Sequence, residues 1–90
     1  MAVCWAASQG DVHELQRLYA SGVDMSAADY DGRTGMHLAA SEGHLEAVKF
    51  LVAKGIDVNP KDRLGGTPLT DAKRGNFIKV ISYLKSKYAK

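Results

Sequence analysis

Residues 34–44, TGMHLAASEGH, bring two histidines and a glutamate into eleven positions. Imidazoles and a carboxylate at short spacing can bind zinc or move protons as general acid and base. A zinc-hydrolase helix sets its two histidines four apart on one face, with a glutamate beside the first. Here His37 and His44 are seven apart, Gly43 should stop a helix between them, and no third ligand recurs nearby. His13 stands with Asp11 and Glu14 in GDVHE, which reads as a solvated face. Gly65 and Gly66 precede no Lys-Ser/Thr pair, as a phosphate loop would require, and no GxSxG nucleophile elbow occurs. No His or Arg lies locally to stabilise a Cys4 thiolate. The expectation is therefore a chain without catalytic, metal or cofactor residues, whose histidine stretch belongs to the framework of a fold.

Ninety residues make at most one domain, too small for a deep two-layer cleft. With 46% hydrophobic and 24% charged residues, the composition is that of a folded, soluble chain. Apolar runs such as VKFLVA are too short to span a membrane. MAVCWAAS lacks a basic leading region and runs straight into polar sequence, so it makes a poor signal peptide. A single cysteine excludes an internal disulfide and fits a reducing, intracellular compartment. The net charge of +2 conceals a polarity: residues 1–60 carry four basic and eight acidic side chains (net −4), residues 61–90 eight basic and two acidic (net +6).

The organising signal is a repeat. Sliding GHLEAVKFLVAKGIDVN (43–59) back 33 residues sets it on GDVHELQRLYASGVDMS (10–26) without a gap, with Gly43 on Gly10, Val48 on Leu15 and Leu51 on Leu18. Sliding forward by the same step sets Thr34 on Thr67, Met36 on Leu69, Ala39 on Ala72 and Leu51 on Leu84. Each unit is physically readable. DGRT (31–34) is turn chemistry. A helix is predicted from about Gly35 to Glu42, with Ala39 and Ala40 small enough for close packing, and Gly43 ends it in the left-handed region. A second helix, from about Leu45 to Lys54, is apolar at 45, 48, 51 and 52 and stops at Gly55. Asn76 stands where Gly43 does, as the next best residue at positive φ. Pro68 suits a first helical turn. Gly35 in the equivalent place should weaken its helix by up to about 1 kcal/mol relative to alanine.

DYDGRTGMHLAASEGHLEAVKFLVAKGIDVN resembles the ankyrin repeat, and GGTPL echoes its motif one unit later. The resemblance covers nearly the whole chain. It implies an all-α solenoid of three stacked helix-turn-helix units joined by β-turns, divided as 1–28 (lacking its leading turn), 29–61 and 62–90. It also implies that Thr34 and His37 bond each other and the turn backbone, and that His44 opens the second helix where the repeat commonly carries histidine.

The end units depart from the pattern. End repeats of such a stack must turn polar on their outer side. Asp71, Lys73 and Lys85 replace Leu38, Ala40 and Val52, which reads as a solvated C-terminal cap frayed at KSKYAK. Val3, Cys4 and Trp5 occupy the positions of Met36, His37 and Leu38. Either Trp5 lies over the first helix pair as a lid, or an upstream region covers it in a longer protein. The DYDxRTxxHxAAxEGHxExVKFL pattern resembles the C-terminal ankyrin segment of glutaminases, although NPKDR lacks a small insertion present in animal forms. DAKRGN is similar to the end of ankyrin segments in plant kinases of the integrin-linked type. The glutaminase likeness implies a cytoplasmic or mitochondrial location; neither parent's catalytic residues fall within this chain.

Ankyrin-like stacks bind proteins through turn tips and the exposed side of the first helices. Those places hold Tyr30, Asp31 and Arg33 on one tip, Arg63 and Leu64 on the next, and Ser8, Gln9, Ser41, Glu42 and Arg74 along the helices. The leading expectation is a non-catalytic protein-interaction module appended to a larger polypeptide. The alternatives are head-to-tail self-association through the oppositely charged ends, and, least favoured, nucleic-acid or acidic-membrane binding by Lys73, Arg74, Lys79, Lys85, Lys87 and Lys90 with Tyr83 and Tyr88 interleaved.

Overall fold

The computed structural model describes residues 2–87. Six helices follow in order: α1 (Ala2–Gln9), α2 (Val12–Ala20), α3 (Gly35–Ser41), α4 (Leu45–Ala53), α5 (Pro68–Arg74) and α6 (Ile78–Ser86). The second repeat's helices are each one residue shorter than predicted, because Glu42 and Lys54 serve as C-caps. Each odd-numbered helix packs on the even-numbered helix that follows it. The odd helices also stack on one another as one layer, and the even helices as a second.

Local chemistry sets the helix ends. The Asp11, Thr34 and Thr67 side chains cap the N-termini of α2, α3 and α5, and Pro68 stands in the first turn of α5. Gly10, Gly43 and Asn76, one per repeat, all adopt positive φ (67°, 73° and 59°). The following amide closes the same bond each time: Asp11 N–H to Ala6 O (2.9 Å), His44 N–H to Ala39 O (2.9 Å) and Phe77 N–H to Ala72 O (3.0 Å). This is the Schellman arrangement, which satisfies helix-end carbonyls that would otherwise be orphaned. It also reverses the chain so that the second helix of each repeat lies back on the first.

No helix pair here encloses its own apolar stripe, so burial comes from stacking. Met36, Ala39, Ala40, Val48 and Leu51 are fully buried between neighbours in one continuous core that also takes in Leu15, Leu69 and Leu84. Alanines at 6, 7, 39, 40 and 72 let the odd helices approach closely. Gly35 has a use of the same kind: a Cβ there would stand 3.1 Å from Val3 Cγ1 and 3.4 Å from Ala7 Cβ. The propensity lost at Gly35 is thus matched by tight contact with α1. In the second layer, Tyr19 meets Phe50 edge-to-face at 6.3 Å, joining the first two repeats.

Two sequence-based expectations are corrected. Trp5 is 67% exposed and forms no lid. Val3, Ala6 and Ala7 occupy the face of α1 turned toward α3, which leaves position 5 on the opposite side of the helix. Asp71, expected on the solvated outer side of the last repeat, is only 4% exposed, because Arg33 reaches across from the second repeat to pair with it. The other cap positions, Lys73 and Lys85, are exposed as expected.

Phe77 opens α6 without a side-chain cap and instead packs its ring against the turn of the preceding repeat. A Cβ on Gly43 would come within 2.5 Å of that ring, whereas one on Gly55 (φ 77°) would meet nothing within 4 Å. Gly55→Ala is therefore expected to cost about 1 kcal/mol, from left-handed strain alone. Gly43→Ala should cost at least about 2 kcal/mol, since strain and ring displacement combine. Urea denaturation of the two variants checks this, and equal losses would show that the ring yields freely.

Candidate interaction surface

The two complete tips are built alike. In the first, Asp29 Oδ1 accepts from the Asp31 (2.9 Å) and Arg33 (3.0 Å) amides, and Asp29 N–H donates to Arg33 O (2.9 Å). One period later, Asp62 Oδ1 accepts from the Leu64 (2.9 Å) and Gly66 (2.8 Å) amides, and Asp62 N–H donates to Gly66 O (2.9 Å). These bonds, led by the one from Gly66, hold the Asp62 carboxyl below its usual range, and the Arg33 side chain assists. The tips are also joined to each other: Arg63 N–H donates to Asp31 O at 2.7 Å.

Beneath the tips lies His37, fully buried. Its Nδ1 accepts from the Thr34 amide (3.1 Å), so the ring proton is assigned to Nε2, which donates to Gly66 O (2.8 Å) in the next repeat. Thr34 Oγ1 lies 3.1 Å from the same Nδ1 and also accepts from the His37 amide. Every polar atom of the ring is spent on turn and helix, and this is the framework use expected of it. His44 likewise places Nε2 3.0 Å from Ser8 O of the first repeat. Cys4, at the His37 position of the first repeat, turns its buried thiol toward Arg33 O (3.5 Å), and burial pushes its pKa up. Among the described residues, no group of three or more His, Cys, Asp or Glu could hold a metal ion. Nor is any described helix long and apolar enough to cross a membrane.

With the tips fixed in this way, an open groove of about 630 Å³ forms between them and α5. Arg33 and Asp71 lie at its base, 2.9 Å apart, and Arg74 Nη1 approaches the other Asp71 oxygen at 3.5 Å. Arg33 Nε is buried there without an acceptor among the described residues. Of the residues singled out from sequence, Asp31, Arg33, Arg63, Leu64 and Arg74 all line this groove. Tyr30 stands on the tip beside it, 99% exposed, and Leu64 is 93% exposed. Ser41 and Glu42 lie elsewhere. The Ser41 hydroxyl bonds Leu38 O (3.0 Å) within its own helix, and exposed Glu42 caps the end of that helix.

Sequence reasoning missed Asp71, Thr70 and Asp62 as groove residues. The available signal was a carboxylate at 71, where the preceding repeat carries a leucine, together with an arginine on the facing tip. The described lysines of the last repeat do not line this groove. Lys73, Lys79, Lys85 and Lys87 are dispersed and exposed, and lysines 49 and 87 already lie over the Tyr83 ring at 5.8 and 5.6 Å. Tyr88 and Lys90 fall outside the described residues.

A family description of ankyrin repeats in three copies matches residues 3–90, and the chain belongs to that family. Ankyrin repeats are protein–protein interaction modules and generally non-catalytic. An L-asparaginase of Dirofilaria immitis is 49% identical over 37 residues, covering 41% of this chain and 6% of that protein. Potassium channel KOR2 of Oryza sativa subsp. japonica is 50% identical over 34 residues (38% and 5%). Integrin-linked protein kinase 1 of Arabidopsis thaliana is 41% identical over 39 residues (43% and 8%). The chain thus spans a small part of the length of each, and each match extends over little more than one repeat period.

The depressed Asp62 pKa carries a pH dependence of definite sign. A carboxylate whose folded pKa lies below its unfolded value contributes stability above the unfolded value, and that contribution is lost as pH falls through the folded one. Thermal midpoints of the native chain should accordingly fall faster than those of Asp62→Asn between about pH 5 and pH 3. A constant difference between the two proteins across that range would remove the turn bonds as the cause.

Proposed function

We propose that this chain is the recognition segment of a larger polypeptide and captures a protein partner on the groove between its two complete tips. The observation that carries this reading is the pairing of two almost fully exposed side chains, Tyr30 and Leu64, on rigid tips beside a groove lined by Arg33, Arg63 and Arg74. Tyrosine and arginine are the types that anchor interfaces. The tips are closed by backbone and carboxylate bonds before any partner arrives, which lowers the ordering cost of binding. Ser41 and Glu42, at the end of α3, lie outside the groove, and Asp31 belongs to it. Two tips offer a small footprint, so a multivalent parent would raise affinity by effective concentration.

The parent is proposed on narrower support. Relatives as different as an asparaginase, a potassium channel and a kinase each match about one repeat, so these likenesses report the repeat more than the parent. An ankyrin segment of an integrin-linked type of kinase draws support from the match over 39 residues. A glutaminase parent, with its cytoplasmic or mitochondrial location, rests on the motif pattern of residues 29–51. A buried free thiol suits a reducing compartment.

One second reading has an observation of its own. Trp5 is exposed on the first repeat and Ile78 on the last, while the two ends differ in charge, which favours head-to-tail association. Light scattering behind a sizing column at about 50 and about 500 mM salt separates the readings, because screening differs severalfold between them. A monomer throughout eliminates self-association. For the tip reading, Tyr30→Ala and Leu64→Ser should each leave thermal stability within about 0.5 kcal/mol of the parent chain. Each should also weaken binding of peptides selected on the chain by about tenfold or more. Undiminished binding in both variants would move the contact elsewhere.

A further inference from the structure

The groove's formal charges balance, with Arg33, Arg63 and Arg74 against Asp31, Asp62 and Asp71. Their availability does not balance. Asp71 is buried and spends both oxygens on Arg33 and Arg74. Asp62 spends Oδ1 on two backbone amides of its own tip. The exposed Arg63 side chain makes no hydrogen bond or ion pair with the described residues, and Arg74 holds Asp71 only through a long 3.5 Å contact from one nitrogen. The groove therefore offers spare guanidinium donors on two walls, one exposed carboxylate at Asp31, and the apolar Leu64 side chain beside them.

The geometry points to an acidic partner segment: a stretch of another protein that sets a carboxylate against Arg63 and Arg74 and an adjoining apolar side chain on Leu64. This rests on the tip groove being the binding surface, and it specifies what binds there. Guanidinium forks match carboxylates in shape and donor number, and a charge-assisted bond outweighs a neutral one. A polyanion such as a nucleic-acid backbone fits less well. A neutral groove exerts no long-range attraction on a string of phosphates, whereas a single carboxylate needs only the local donors. A basic segment would find the Asp31 carboxylate and the second oxygen of Asp62, with two arginines opposing it. Asp31 thus acts against the acidic ligand, and its removal should strengthen binding.

The test pans a random-peptide display pool on the whole chain and then measures fluorescence anisotropy of the recovered peptides. The expected outcome is enrichment of Asp or Glu next to Leu, Ile or Phe. Replacing the acids of a recovered peptide by their amides should weaken it by about fivefold or more. Arg63→Glu with Arg74→Glu should redirect selection toward Lys and Arg. Asp31→Asn should tighten the acidic peptides by about threefold. Arg63 and Arg74 are exposed and Arg33 keeps its bond to Asp71, so circular dichroism should show both arginine variants folded. Recovered peptides without acids, indifferent to the arginine reversals but lost with Leu64→Ser, would overturn the acidic partner and leave the tip surface standing. Peptides indifferent to both sets of substitutions, or no enrichment over bare matrix, would overturn the two together.

Discussion

A helix of seven to nine residues, with one partner of similar length, cannot remove its apolar stripe from water, and all of this structure follows from that constraint. Helix α3 is covered by α1 on one side, α5 on the other and its own partner α4 behind, and Met36, His37, Ala39 and Ala40 are buried among them. The His37 imidazole ties two of these levels together, since it holds its own turn through Thr34 and the next tip through Gly66. Its two nitrogens leave no buried donor or acceptor unpaired, where an unpaired one would cost about 1–3 kcal/mol. Both ring nitrogens are consumed in making one repeat recognise the next.

The groove is a by-product of that assembly. Asp29 and Asp62 close their tips, Asp31 fixes the spacing between tips through its carbonyl, and Arg33 holds the base of α5 through Asp71. Carboxylates are thereby drawn into structural bonds, while the guanidinium groups at 63 and 74 keep donors for something else. Breaking a buried charge pair is costly when a partner is left uncompensated. Arg33 remains partly in water, so the Arg33–Asp71 contact adds less to stability than a fully buried pair would.

The two ends of the stack differ for the same reason that its middle is stable. Each repeat presents one face to its predecessor and another to its successor, and the outermost faces have no neighbour among the described residues. On the last repeat, Lys73 and Lys85 stand where the preceding repeat buries or half-buries Ala40 and Val52, which makes that end wettable. On the first, Val3, Ala6 and Ala7 are committed inward and Trp5 is left outside.

The period of 33 residues, the turn–helix–turn–helix order and the left-handed stops at Gly43 and Asn76 could be read from the residues in order, and the pairing of Thr34 with His37 was implied by the resemblance to the repeat. These are local matters: backbone conformation at a glycine, a cap three residues from its amide, an apolar residue every three or four positions. The exposed tip residues Tyr30 and Leu64 were legible for the same reason, since a tight turn leaves its central side chains nowhere to pack. What needed the tertiary structure was every partnership across repeats. Asp71 looked like a solvated cap residue until Arg33, 38 positions earlier, was found beside it. Trp5 looked able to fold over its helix pair until the orientation of α1 against α3 put it on the other side. Periodicity states which residues are equivalent. Only the angle at which helices stack decides which of them meet, because that angle is set by side-chain volumes from three repeats at once.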